Sequence, residues 1–225
     1  MTTGKPARPG KIVCVGRNYR AHAAELGNEV PREPLLFLKP PSSIIHDGET
    51  ISLPAISKQV EFEGEIGVVL GARLVHATED EARAAVAAII ALDDVTARDL
   101  QRSDGQWTRA KGFDTFCPVG SPVDPPSDLS TLTVTTHVNG ALRQSGRASD
   151  MVFPIPFLLS YISRIMTLEP GDYVATGTPS GVGPLAPGDV VEVAVGGSVV
   201  RNEVGENEVG EKEGAGKQET ENGNR

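Results

Sequence analysis

The stretch Glu61-Phe62-Glu63-Gly64-Glu65-Ile66-Gly67-Val68-Val69-Leu70-Gly71 constrains this chain more than any other. Side chains alternate faces along a strand. Read as one strand, the stretch sends Glu61, Glu63 and Glu65 to one side and Phe62, Ile66, Val68 and Leu70 to the other. From Ile66 to Leu70 it is apolar on both faces, the pattern of a strand buried on both sides. Such a strand needs neighbours in a sheet and a layer on each face. Three carboxylates on one face, running into a buried segment, repel one another and lose hydration. A hard divalent cation takes oxygen ligands and neutralises such a cluster. The alternative is an exposed strand start with solvated glutamates.

Composition agrees with many short strands. The chain has 225 residues with 25 Gly and 17 Pro, and only 4% aromatics, which favours turns over a helical bundle. At 39% hydrophobic it can bury one sizeable core. The net charge of −9 argues against a nucleic-acid partner. Seven acidic and three basic residues from Glu203 onward account for −4 of it. No apolar run reaches the ~18 residues of a membrane helix, and Met1–Gly10 lacks a secretory apolar region. Cys14 and Cys117 stand far apart and outside any Cys-x-x-Cys. The reading is a reduced, cytoplasmic protein.

Taken in order, residues 1–10 form a Pro/Gly-rich leader, residues 11–201 one catalytic-sized domain, and residues 202–225 a disordered acidic tail. Lys11–Gly16 reads as a buried strand, and Arg20–Leu26 as a helix stopped by Gly27. On that helix His22 and Glu25 are three apart and share a face. A carboxylate beside a histidine fixes its tautomer and raises its basicity, which makes a candidate general base; a surface pair is the commoner meaning of the spacing. Leu35–Lys39 and Ile51–Pro54 read as strands. Thr78-Glu-Asp-Glu81 is a capping box opening a helix to about Ala88. Ile89–Thr96 reads as a strand with Asp93 and Asp94 at its polar end, on opposite faces, so that one of them could join the glutamates. Lys111 follows the chain's only Trp, Trp107. Leu132–Val138, Asn139-Gly140 and Ala141–Gln144 make a hairpin. Phe157–Met166 is an amphipathic helix with a core-facing side, Tyr173–Gly177 a strand, and Asp189–Val195 a last strand. The loop Gly177-Thr-Pro-Ser-Gly-Val-Gly183 could present N–H groups to an anion, but it lacks the Gly-Lys-Ser/Thr ending of a phosphate loop.

These pieces form one ordered series: Gly16-Arg-Asn-Tyr with His22 and Glu25, Phe37-Leu-Lys-Pro-Pro, Glu63-Gly-Glu65, Asp94-Val-Thr-Ala-Arg-Asp99, Lys111-Gly-Phe-Asp-Thr-Phe-Cys-Pro, and Thr176-Gly-Thr-Pro-Ser-Gly-Val-Gly183. In that order the chain resembles the fumarylacetoacetate hydrolase family, in its single-domain branch of acylpyruvases, oxaloacetate decarboxylases and 2-hydroxyhepta-2,4-diene-1,7-dioate isomerases of aromatic catabolism. The resemblance implies a mostly β (α+β) fold, a mixed β-sandwich or roll with a few short helices, in a homodimer. It implies Mg²⁺ or Mn²⁺ held by Glu63, Glu65 and Asp94, with Asp93 outside the ligand set. It implies a His22–Glu25 catalytic dyad on a lid-like segment, joined in catalysis by Lys111. It implies Arg17, Arg98, Gln101, Gly177 and Thr178 as substrate contacts. The full-length enzyme that names the family has a further aspartate ligand seven residues before its histidine, where this chain has Val15. The chain also begins almost at the first motif. Both features point to the short-branch 2-oxo acids as substrates.

The activity implied is divalent-metal-dependent hydrolysis of a C–C bond in an acylpyruvate-type 2-oxo acid, through a stabilised enolate. Decarboxylation and isomerisation use the same electron sink and stand as alternatives, and a non-catalytic binding protein on the same fold as a remoter one. The dyad, suited to activating water, puts hydrolysis first.

Overall fold

Short apolar runs between Gly and Pro become strands, and the chain's few helices form where charge or capping favours them. The structure, a computed structural model, describes residues 8–25, 27 and 29–206. The elements run β1 (Ile12–Gly16), α1 (Arg20–Glu25), β2 (Leu35–Lys39), β3 (Ile44–His46), β4 (Thr50–Leu53), β5 (Val60–Phe62), β6 (Gly64–Leu70), α2 (Glu79–Ala84), β7 (Val86–Asp93), β8 (Thr96–Ala97), α3 (Arg98–Ser103), α4 (Thr108–Lys111), β9 (Cys117–Val119), β10 (Thr133–Val138), β11 (Ala141–Arg147), α5 (Ile155–Ile165), β12 (Tyr173–Ala175), β13 (Gly183–Pro184), β14 (Val190–Val195) and β15 (Ser198–Glu206). The protein is mostly β with short helices, as its sequence implies.

Three sheets carry the strands. A seven-stranded mixed sheet has the order β2-β1-β12-β6-β7-β9-β3; a five-stranded sheet runs β11-β10-β14-β15-β4; a three-stranded sheet runs β13-β5-β8. The main core lies where the first two meet, with Ile66, Val68, Ile89 and Ala91 packed among Val134, Val193, Val195 and Val200. A second cluster of Ile12, Cys14, Ile90, Leu92, Cys117 and Tyr173 fills the other side of the seven-stranded sheet. β6, buried along nearly its whole length, is the doubly covered strand that its apolar run predicts. Both cysteines are buried and free. No helix among the described residues is long and apolar enough to cross a membrane.

Several boundaries differ from the sequence reading. Glu61–Gly71 is two strands. β5 pairs with β8 and β13, β6 pairs with β7 and β12, and the chain changes sheets at Glu63. The capping box at Thr78 and Glu81 forms, but α2 ends at Ala84, because the next residues pair along β6 from Val86 onward. Sheet pairing overrides alanine's helix propensity at Ala87 and Ala88. The β3 strand has no counterpart in that reading. Asn139 and Gly140 take positive φ of 53° and 78° and turn the β10–β11 hairpin as expected. β14 is not last. β15 follows it and runs past the expected boundary at 201, because Glu203–Glu206 pair in parallel with Thr50–Leu53, and Asn202 and Val204 are buried. Leu26, the leader residues 1–7 and the tail residues 207–225 lie outside the described residues.

Candidate active site

The change of sheets at Glu63 builds the site. β5 ends and β6 begins on either side of this residue, and Glu63 and Glu65 emerge beside the end of β7. Asp94 follows β7 directly, and its N–H donates to the Glu63 carbonyl at 2.9 Å. The ligand atoms offered by Glu63, Glu65 and Asp94 all lie within 4.8 Å of one another. These residues are only 5%, 1% and 0% exposed, so the solvated-glutamate alternative fails for them.

Three buried cations surround the carboxylates. Lys111 Nζ, on α4, bridges Glu63 Oε2 at 2.8 Å and Asp94 Oδ2 at 2.5 Å. Lys39 Nζ, at the end of β2, reaches Asp94 Oδ1 at 2.7 Å and the Val95 carbonyl at 3.1 Å. Arg98, opening α3, donates Nε to Glu61 Oε2 at 2.7 Å, Nη1 to Gln101 Oε1 at 2.6 Å and Nη2 to Glu63 Oε1. Burial raises the Glu63 carboxyl, but Lys111 and Arg98 outweigh it and hold the group well below the usual carboxylate range. Burial likewise lowers Lys111, and Asp94 and Glu63 more than restore it, so its ammonium stays charged. Glu65 is different. Its one hydrogen bond comes from the Gly177 N–H, at 2.7 Å, and among the described residues it has no cation partner. Burial, then the Asp94 and Glu63 charges, push its carboxyl well above the ordinary value.

This imbalance fits a divalent ion. With all four ionised, Glu61, Glu63, Glu65 and Asp94 against Lys39, Arg98 and Lys111 leave one negative charge over in this cluster, and two when Asp93 is ionised. The donors are all hard oxygens, which suit Mg²⁺ or Mn²⁺. Lys111, bridging two of the three carboxylates, marks the place as one that stabilises positive charge.

The other sequence candidates converge on the same cleft. Arg17, His22, Arg98, Gln101, Lys111 and Thr178 line it with the three carboxylates, together with Phe37 and Trp107. Arg17 holds a left-handed backbone, φ 60°, and makes no ion pair among the described residues. His22 Nδ1 lies 3.4 Å from Glu25 Oε2. Both Glu25 oxygens also accept the Gly181 N–H, at 3.0 and 3.2 Å, tying α1 to the glycine-rich loop. Gly177 does not face the cleft; it acts from behind through Glu65. Its φ of +100° aims that N–H, and a Cβ there would sit 2.6 Å from Asn18 Cβ.

Sequence reasoning left three participants unassigned. Lys39 was visible only as a lysine ending an apolar strand before Pro40. Glu61, grouped with the glutamates, is an Arg98 partner rather than a member of the triad. Asp93 accepts the Glu63 N–H at 2.7 Å through Oδ1, and its buried Oδ2 has no partner. Burial pushes its carboxyl up to about 7.

A mixed β-roll here brings an acidic triad, a histidine–glutamate pair and three buried cations together at one cleft, the arrangement of an enzyme active site. Residues 11–209 match the family described as fumarylacetoacetate (FAA) hydrolase C-terminal, and the chain belongs to that family. The mitochondrial oxaloacetate tautomerase of Arabidopsis thaliana is 45% identical over 193 residues, covering 83% of this chain and 86% of that protein. The crystal structure of a 2-hydroxyhepta-2,4-diene-1,7-dioate isomerase from Mycobacterium marinum is similar at a TM-score of 0.82 and 40% identity, covering 89% of this chain and 76% of its own. A fumarylpyruvate hydrolase from Pseudomonas aeruginosa, solved with Mn²⁺ and pyruvate, is similar at a TM-score of 0.82 and 28% identity, over 91% and 99% of the two chains. This protein is therefore an enzyme of the fumarylacetoacetate hydrolase family.

Proposed function

We propose that this enzyme forms and holds the enolate of a small 2-oxo acid, with oxaloacetate as the first substrate to test. The observation that carries the proposal is the Glu65 carboxyl, without an ion-pair partner among the described residues, beside Glu63 and Asp94 in a cleft that Arg17, Arg98 and Lys111 also line. Glu63, Glu65 and Asp94 would hold a divalent cation, which would supply Lewis-acid stabilisation of developing enolate charge.

The chain's own groups do the rest. Lys111 and Arg98 keep their charges where an oxyanion forms, in a site too buried for water to screen them. Arg17, unpaired at the cleft wall, is the group available to a second carboxylate. With His22 Nδ1 3.4 Å from Glu25 Oε2, the tautomer that carries its proton on Nδ1 would donate to Glu25 and leave the Nε2 lone pair to take a proton. Loss of CO₂ from oxaloacetate leaves the enolate of pyruvate, and removal of a proton from the C3 of oxaloacetate leaves the enolate of oxaloacetate itself; both put the developing charge on the 2-oxo oxygen, so one site serves either reaction.

Hydrolysis of an acylpyruvate is the second reading. It rests on the His22–Glu25 pair, which would deprotonate an attacking water, and on the likeness to the fumarylpyruvate hydrolase. The higher identity to an oxaloacetate enzyme, 45% against 28%, supports the first reading over it, although the dyad alone would favour hydrolysis.

Pyruvate release, coupled to lactate dehydrogenase, separates the two with oxaloacetate and acetylpyruvate in Mg²⁺, Mn²⁺ and EDTA. Loss of the oxaloacetate enol, followed by its absorbance, reports tautomerisation in the same samples. The expected outcome is EDTA-sensitive turnover of oxaloacetate above the metal-only blank. Faster acetylpyruvate cleavage would move the assignment to hydrolase, and inactivity in all three assays would sink the proposal.

A further inference from the structure

The segment Glu63-Gly64-Glu65, which supplies two of the three clustered carboxylates, is held by a side chain from the five-stranded sheet. Gln144, on β11, is 1% exposed and spends its whole amide on this segment and the glycine-rich loop. Its Oε1 accepts the Gly64 N–H at 2.9 Å. Its Nε2 donates to Thr178 Oγ1 at 2.7 Å and to the Pro179 carbonyl at 2.8 Å. Thr178 Oγ1 then donates to the Gly64 carbonyl at 2.9 Å, closing a ring. The orientation of the amide is fixed by its partners, since the Gly64 N–H can only donate and the Pro179 carbonyl can only accept.

Both polar groups of Gly64 are thus held by side chains, and Gly64 is the link between two of the three carboxylates. A Cβ on Gly64 would lie 2.0 Å from Thr136 Oγ1 and 3.3 Å from Gln144 Oε1, so the five-stranded sheet packs directly against this peptide. The same amide anchors Thr178, which lines the cleft. A displaced Gly64 peptide would move the Glu63 and Glu65 carboxylates relative to Asp94. A displaced Thr178–Pro179 segment would reshape the wall that meets the substrate.

We propose that Gln144 is a positioning residue that sets the spacing of Glu63 and Glu65 and couples it to the Thr178 wall, so that metal and 2-oxo acid meet in register. The proposal rests on the metal reading given above. It names Gln144, which touches neither ligand, as a determinant of affinity for both.

Mn²⁺ binding by calorimetry and electron paramagnetic resonance tests it, with melting in EDTA as the control for folding. Gln144→Met keeps the length and removes every hydrogen bond. It should weaken Mn²⁺ binding by about 10- to 100-fold, the range found when a group that orients metal ligands is lost. Gln144→Glu keeps an acceptor for the Gly64 N–H but has no donor for Thr178 or Pro179. It should hold Mn²⁺ within about threefold of wild type while weakening pyruvate binding to the Mn²⁺-loaded protein by about fivefold or more. A purely structural role would lower the EDTA melting temperature and leave Mn²⁺ affinity unchanged. That result, or a Gln144→Glu protein that binds both ligands as wild type does, overturns the proposal. If Gln144→Met does not fold, the Gln144→Glu result alone decides. A wild-type protein that binds no Mn²⁺ overturns the metal reading, and this proposal with it.

Discussion

Glu65 carries the least compensated charge in the cleft. Glu65→Gln keeps an acceptor for the Gly177 N–H and removes that charge. It should abolish Mn²⁺-induced thermal stabilisation and weaken Mn²⁺ binding by about tenfold or more, while raising the melting temperature in EDTA at pH 8. Differential scanning fluorimetry with and without metal reads both effects. Asp93 gives the pH dependence. Burial pushes its folded carboxyl up to about 7, above the ~3.9 of an unfolded aspartate. The folded state therefore binds the extra proton between those values, and stability falls as pH rises from about 4 to about 7, by on the order of 4 kcal/mol. Asp93→Asn mimics the protonated acid. In EDTA it should flatten the melting-temperature profile between pH 5 and 8, leaving the share due to Glu65, whose shift has the same sign. An unchanged slope would remove Asp93 as its source.

At the scale of elements, the decisive event is the break between β5 and β6. Gly64 permits it, because the Thr136 hydroxyl and the Gln144 amide occupy the space a Cβ needs. Gly64→Ala should destabilise the protein by about 3 kcal/mol, as overpacking of a rigid core does, and Thr136→Ala in the same chain should recover part of the loss. Urea titrations of the two single variants and the double variant measure this coupling; strict additivity would contradict the packing. Much of the element pattern was legible in the sequence. The β1, β2 and β12 runs, the Thr78 capping box and the Asn139-Gly140 turn are local signals with local causes. The end of α2 was not, because Ala87 and Ala88 join β7 through pairing with β6 rather than through propensity. β3 was missed for a similar reason: three residues in parallel pairing with β9 leave little pattern to read.

At the scale of the molecule, one edge of the five-stranded sheet is made by pairing Thr50–Leu53 with Glu203–Glu206, far apart in the chain. β4 is the edge strand and pairs there only with β15. A chain ending at Asn202 loses Val204 from the core and this entire ladder, whereas one ending at Glu206 keeps both. The shorter form should melt several degrees lower, for a loss of about 2 kcal/mol from one buried valine and its pairing. Equal melting temperatures would mean that the ladder contributes nothing.

The sequence by itself determined which groups meet at the cleft and the kind of fold that holds them. Carboxylates at Glu63, Glu65 and Asp94, the His22–Glu25 spacing and the cleft-lining Arg17, Arg98, Gln101, Lys111 and Thr178 were readable because their motifs are short and ordered along the chain. Only the tertiary structure decided how those charges are balanced. Lys39 meets Asp94 from 55 residues away, Arg98 divides itself between Glu61 and Glu63, and Gln144 reaches Gly64 across 80 residues. Such contacts depend on which strand lies beside which and which face turns inward. Sheet pairing across long separations sets both, and no local pattern of residues records it.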